Sequence, residues 1–173
     1  MPRLRYQLAT SLDGYIAGPN GAFDWIVEDP EIDFGGLYAQ FDIAVMGRKT
    51  FLTSVAPAGQ AALPSLDVIV YSQTLRPVDY PYVTVVNGDP VEHVRSLKAA
   101  SGKDIWLYGG GALFRTFLEA GTVDTVEPAV VPVLLGDGIP MLPPPHLRTK
   151  LCLTSHRLYA KSGIMLLEYA LMH

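Results

Sequence analysis

The run Ile43-Ala-Val-Met-Gly-Arg-Lys-Thr-Phe51 takes a short apolar strand directly into a glycine, two cations and a hydroxyl. Such an arrangement holds an anion. A glycine after a strand lets the backbone approach a ligand closely, Thr50 is placed to cap the next helix, and that helix's first amides favour negative charge. Arg48 and Lys49 add formal charge. The pattern recurs at Ile105-Trp-Leu-Tyr-Gly-Gly-Gly-Ala112, a strand, then glycines, then an apolar helical periodicity from Leu113. One sheet with two such turns at the carboxyl ends of its strands forms the crevice where open α/β folds take nucleotides. Two phosphate-facing turns point to a dinucleotide. Either turn alone reads equally well as a tight connection. The strict G-x-G-x-x-G fingerprint is absent, and Asp124 falls too early to be its ribose-binding acid.

The elements that must position these turns follow from periodicity. Leu4, Tyr6, Leu8 and Thr10 alternate with Arg3, Arg5, Gln7 and Ala9, which predicts a first strand ending near Ser11. A loop runs from Asp13-Gly14 to Trp25, and a short helix is expected between Glu28 and Phe41. Ile43–Met46, Asp67–Tyr71 and Val83–Val86 read as strands, with Ser54–Pro64 as surface loop. Asp89, Pro90 and Glu92 give an N-cap, a first helical residue and a capping-box partner, with Gly102 closing the far end. Val91, Val94 and Leu97 form that helix's apolar stripe, and His93 lies off it and is expected in solvent. A further helix spans Gly111–Ala120 with Gly121 at its C-cap. The last third carries strands without helices: Val126–Leu135, then Leu151–Leu158 and Ile164–Leu171 joined at Ser162-Gly163. The expected architecture is a single α/β domain over residues 1–173, with a mixed, mostly parallel sheet and helices on both faces.

Composition narrows the function classes. Hydrophobic residues make up 49% of the 173, enough for a large core, and charged residues only 17%. Part of the surface is therefore expected to be apolar and covered by a second copy in a homodimer. A net charge of −4, with Lys and Arg scattered, argues against a nucleic-acid surface. The single cysteine, Cys152, lies in an apolar strand-like run and reads as a buried structural thiol. No apolar stretch approaches a membrane span, and the N-terminus has no signal-like core, so a cytoplasmic location is expected.

Taken in order, Ser11-Leu-Asp-Gly-Tyr-Ile-Ala17, Phe23-Asp-Trp25, Val45-Met-Gly-Arg-Lys-Thr50, Val70-Tyr-Ser72, Ile105 to Gly111, Val131 to Pro140 and the closing hairpin resemble the dihydrofolate reductase-like superfamily. The branch they resemble is the C-terminal reductase domain of bacterial riboflavin biosynthesis, here as a stand-alone member. The resemblance implies the three-layer dihydrofolate reductase-like fold with a C-terminal antiparallel hairpin, and NADPH as cofactor. It implies that Gly47, Arg48, Lys49 and Thr50 hold phosphates and that Ser72 and Arg76 lie near the adenosine 2′-phosphate. Gly109, Gly110, Gly111 and Ala112 would approach the pyrophosphate, with a cis bond between two of the glycines. Ala9 and Ile16 would run along the nicotinamide, while Tyr15, Trp25 and Asp33 would face the substrate. Glu28 and Glu31 compete with Asp33 as the carboxylate of the first helix. The chain departs from the riboflavin-pathway pattern at Tyr15, where a basic residue is usual, and at Tyr108, where an acidic one is.

The implied activity is NADPH-dependent hydride transfer to a C=N or C=O bond of a pteridine, aminopyrimidine or related small heterocycle. Asp13 is the candidate for the polar catalytic contact, with Tyr108 and Glu127 behind it. Asp13-Gly14 also reads as a plain turn, and Glu127 as either a poised acid or a paired structural carboxylate. A second reading is a nucleotide-binding module of the same fold without turnover. A third keeps only the fold, with the glycines as packing turns. No metal is expected, since no H-x-E or C-x-x-C zinc signature is present.

Overall fold

The computed structural model describes residues 1–100, 102–146 and 148–172. Strands β1 (Leu4–Ser11), β3 (Phe41–Gly47), β4 (Asp67–Tyr71), β5 (Thr84–Val86), β6 (Asp104–Gly109), β7 (Thr125–Val131), β9 (Leu151–Tyr159) and β10 (Ile164–Leu171) form one sheet. Its order is β5-β4-β3-β6-β1-β7-β10-β9. The first six are parallel, and β10 and β9 add an antiparallel pair at the edge. This is the mixed, mostly parallel sheet that the alternation predicts.

Alternation along each strand divides the core between two faces. Tyr6, Val45, Ile69 and Leu107 pack on one face beneath helices α3 (Pro90–Ala99) and α4 (Gly111–Glu119), through Val94, Phe114 and Phe117. The opposite face buries Phe41, Ala44, Met46, Val70 and Trp106 under Phe51 and Val55. Near that second face lie the short helix α1 (Phe34–Tyr38) and helix α2 (Arg48–Thr50), which continues as a π-helical turn at Phe51–Val55. A third, smaller cluster joins Val131, Tyr159 and Ile164 to Trp25 and Ile32.

Several local expectations are corrected. The helix expected across Glu28–Phe41 is only α1, because Gly35-Gly36 disfavour extension and Phe41 is drawn into β3 as a buried core residue. The Asp13–Trp25 loop is interrupted by β2 (Tyr15–Ala17), which pairs with β8 (Ile139–Pro140). Ser54–Pro64 is not loop throughout: it includes the end of the π-helical turn and a 3-10 turn at Gly59–Ala62, with Val55 and Leu63 buried. β7 stops at Val131 rather than Leu135, just before Pro132. α3 ends at Ala99, ahead of Gly102. His93 is half-buried, its Nδ1 3.0 Å from the Tyr71 hydroxyl. Cys152 is exposed, because β9 is the outermost strand and Leu151–Leu158 are exposed along their length. Among the described residues, no helix is long and apolar enough to cross a membrane.

A buried ion pair fixes the centre of the sheet. Arg5 on β1 donates from Nε and Nη2 to the two carboxylate oxygens of Glu127 on β7, each at 2.8 Å, and Thr125 Oγ1 donates to Oε1 at 2.6 Å. Nη1 of Arg5 reaches Gln40 Oε1 at 2.8 Å, and the guanidinium lies 4.8 Å above the Phe41 ring. Removing Glu127 leaves the buried Arg5 with only the longer ion-pair contact to Asp104, 3.4 Å from Nη1 to Oδ2. Glu127→Ala is therefore expected to lower the unfolding free energy by about 3–5 kcal/mol in urea denaturation. Pairing it with Arg5→Met should recover most of the loss.

Candidate functional site

The parallel strands bring their carboxyl ends to one edge, where β1 ends at Ser11, β3 at Gly47, β4 at Tyr71 and β6 at Gly109. Because β3 and β6 are neighbours with Met46 opposite Gly109, the two glycine turns seen in the sequence lie side by side. Their contact is close. A Cβ built on Gly110 would stand 3.1 Å from Thr50 Oγ1, and one on Gly111 would stand 2.6 Å and 2.8 Å from the carbonyl oxygens of Pro140 and Met141. The Gly109–Gly110 peptide is cis and Gly109 has φ +135°.

Thr50 does not cap a helix. α2 starts two residues earlier with Gly47 at its N-cap, so Arg48, Lys49 and Thr50 form its first turn, and Thr50 faces the second glycine turn. Arg48 and Lys49 are exposed, and neither forms an ion pair among the described residues. Free cations beside helix-opening amides make this corner suited to phosphate. Ala112 is exposed in the first turn of α4, where the amides likewise lack intrahelical partners. The Ser72 hydroxyl oxygen accepts from the amides of Thr74 and Leu75 at 3.2 and 3.0 Å, which leaves its own proton free to donate. Arg76 is held differently: Nε and Nη2 donate to the Asp79 carboxylate, both at 2.9 Å on the surface.

Asp13 serves as a latch. Its carboxylate accepts from Ser11 Oγ at 2.6 Å, from Gly136 N at 2.8 Å and from Leu135 N at 3.1 Å, tying the end of β1 to the loop after β7. Those donors, Ser11 foremost, hold its pKa down to about 2. It is a fixed anion at neutral pH and no proton donor. Glu127, engaged by Arg5 and Thr125, resolves as the paired structural carboxylate. Tyr108 differs from both: as a tyrosine it carries its proton at neutral pH, and burial, with Tyr38 second, pushes its pKa further above the ordinary value.

On the other side of β1, Tyr15 and Ile16 lie on β2, where Tyr15 N donates to Ser11 Oγ at 2.9 Å. Trp25 is half-buried, donates from Nε1 to Ala22 O at 3.2 Å and, like Ala9, packs against the third cluster. Asp33 is turned to a local task, accepting from Gly36 N at 2.8 Å as the N-cap of α1. The structure thus joins Gly47–Thr50 to Gly109–Ala112 and places Ala9 with Trp25. It leaves Asp33, Arg76 and Glu127 with partners of their own. Sequence reasoning missed Ser11, although its spacing of two from Asp13 was visible, and it missed Asp29. That buried carboxylate accepts from Glu31 N and Ser162 N, which fastens the segment after Trp25 to the β9–β10 turn.

Residues 2–165 match the RibD C-terminal domain family, and the chain belongs to it. It is similar to the uncharacterized protein YyaP of Bacillus subtilis, with 33% identity over 96% of this chain and 94% of that protein. A crystal structure from Shewanella sp. PV-4, whose protein has a provisional riboflavin-biosynthesis name, matches with a TM-score of 0.84 and 26% identity over 100% of both chains. Dihydrofolate reductase from Enterococcus faecalis, solved in complex with NADP(H), shares the fold with a TM-score of 0.70 and 16% identity. That match covers 99% of this chain and 97% of the other.

The latch has a pH signature with a definite sign. A carboxylate whose folded pKa is depressed from 3.8 to about 2 contributes its full stabilisation above about pH 4 and loses it as pH falls through about 2. The amides of Leu135 and Gly136 are expected to stay protected from hydrogen exchange down to about pH 3 in the native protein. In Asp13→Ala they should exchange at least about tenfold faster at neutral pH. Unchanged protection in the variant would show that the loop is held by other contacts.

Proposed function

We propose that this member of the RibD C-terminal domain family is an NADPH-dependent reductase delivering hydride to a C=N or C=O bond of a pteridine, aminopyrimidine or related flat heterocycle. One observation carries the reading. Two glycine turns from adjacent parallel strands meet at Thr50 and Gly110, beside the unpaired cations Arg48 and Lys49. Family membership and the NADP(H) held by the dihydrofolate reductase neighbour support the same cofactor.

The residues present fit a phosphorylated dinucleotide. Arg48, Lys49 and the first amides of α2 would hold one set of phosphate oxygens, and the Gly110–Ala112 turn the other. Glycine at positions 110 and 111 keeps backbone alone in the crevice. The Ser72 proton remains available to a 2′-phosphate oxygen; Arg76 would join only by leaving Asp79, an exposed exchange that costs little. When bound, NADPH supplies the hydride. Ala9 and the β2 segment flank the carboxyl end of β1, and the Asp13 latch fixes the loop beyond. Of the three acid candidates, Tyr108 alone keeps an uncommitted proton at neutral pH, and we assign it the proton-donor role.

The commitment of Asp13 and Glu127 to structural partners favours a second reading, a nucleotide-binding module without turnover. Tyr108→Phe separates the two. On the reductase reading it should lower kcat by roughly 10²–10⁴-fold with NADPH affinity unchanged; a binder would show no NADPH oxidation in either protein across pterin, aminopyrimidine and small-carbonyl screens.

Cofactor choice is tested by titrating the protein with NADPH and, separately, NADH, following energy transfer from tryptophan to nicotinamide. NADPH is expected to bind far more tightly, and Arg48→Ala to weaken it by about 1.5–3 kcal/mol, the scale of a hydrogen bond to a charged group. Absence of binding by either nucleotide would remove the reductase reading.

A further inference from the structure

The amino-terminal rim of the sheet carries a concavity of about 340 Å³, at the far end of β4 from the glycine turns. β4 runs about 13 Å from Asp67 to Tyr71, so this hollow is separate from the crevice at the carboxyl ends. Asp67 and Thr84, the first residues of β4 and β5, border it from the sheet, and Gln60 borders it from the 3-10 turn at Gly59–Ala62. The buried Val55, Leu63 and Val68 supply apolar lining. Tyr82 completes the wall. Its ring is packed 6.4 Å from Phe51 and, edge-on, 6.4 Å from Tyr80, which fixes where it stands.

The polar groups of this lining are uncommitted. Neither the Asp67 carboxylate, the Gln60 amide nor the Thr84 hydroxyl makes a hydrogen bond or ion pair among the described residues. Asp67 is also the only charged residue of the lining. Lys103 borders an adjoining recess that Asp67 shares, but its Nζ lies 3.7 Å from Asp42 instead. A lone carboxylate repels anions, and a wholly apolar occupant would strip it of water without a partner. A metal ion needs several ligands, and no group of three or more His, Cys, Asp or Glu gathers among the described residues. An organic monocation satisfies all three constraints.

We propose that this concavity is a second binding site, for a small flat amidinium or guanidinium, with Asp67 as counter-ion and Tyr82 as aromatic wall. The planar fork of such a cation donates two parallel N–H bonds to a carboxylate, and its remaining N–H groups suit the Gln60 and Thr84 oxygens. It is also more weakly hydrated than an ammonium, which suits a half-apolar hollow, and its flat face stacks on an aromatic ring. The assignment is independent of the reductase reading, because none of these residues belongs to the corner proposed for the cofactor.

The test titrates the protein at neutral pH and low salt with benzamidine and with benzamide, a neutral probe of the same shape, following backbone amide signals by nuclear magnetic resonance. Benzamidine is expected to shift the signals of Gln60, Asp67, Val83 and Thr84 saturably and to bind about three- to tenfold more tightly than benzamide. Asp67→Asn, an exposed and nearly isosteric change, should abolish that preference with an unchanged thermal melt, and Tyr82→Leu should weaken benzamidine while leaving the preference in place. Added NADPH should not displace the probe. The assignment is overturned by equal binding of the two probes, by a preference that survives Asp67→Asn, by shifts centred on Gly47–Thr50 and Gly109–Ala112, or by no saturable shift at all.

Discussion

The Arg5–Glu127 pair is the interaction on which the sheet's geometry turns. β1 is the seam of the molecule, with the parallel nucleotide-type strands on one side and the strands leading to the antiparallel edge on the other. A bidentate pair with a third hydrogen bond from Thr125 permits only one sliding position of β1 against β7, since a shift of one residue would turn Arg5 to the opposite face. Its energetic return is modest, because desolvation offsets much of the attraction. What it supplies is register, and register places Ser11 and Asp13 level with the loop after β7.

From that register the two sides of the site take different characters. The corner proposed for the cofactor is made of backbone and cations: glycines that must stay bare, helix-opening amides, and the exposed Arg48 and Lys49. The substrate side is made of contacts between distant segments, with Asp13 holding Leu135 and Gly136, Asp29 holding Glu31 and Ser162, and Trp25 seated on the third cluster. Neither carboxylate acts as an acid in this arrangement. Both tie distant backbone segments together.

The cofactor side was largely legible in the sequence, because a glycine turn with adjacent cations states its chemistry within eight residues. The strands of the main sheet were legible too, from alternation and short apolar runs, whereas β2 and β8 were not. The other side was not, since the roles of Asp13, Asp29 and Glu127 depend on partners more than a hundred residues away. Cys152 illustrates a different limit: an apolar strand reads as core whether it lies at the centre of a sheet or at its rim, and here it lies at the rim. Thr50 was misread for a third reason. It sits near a helix start, but caps are decided by one or two residues of offset, which periodicity does not resolve.

The placement of β1 also governs the order in which the chain can assemble. β1 is synthesised before its partners, yet both of its neighbours come from residues 104–131, so it must wait unpaired while the chain between them is made. The segment from β3 to β5 needs no such delay, as its strands pair with near neighbours in sequence. Late capture of an early strand gives high contact order, hence slow closure and a long interval in which an apolar β1 is open to wrong partners. Arg5 within it and Arg3 just before it keep that waiting strand charged until Asp104 and Glu127 arrive to neutralise them.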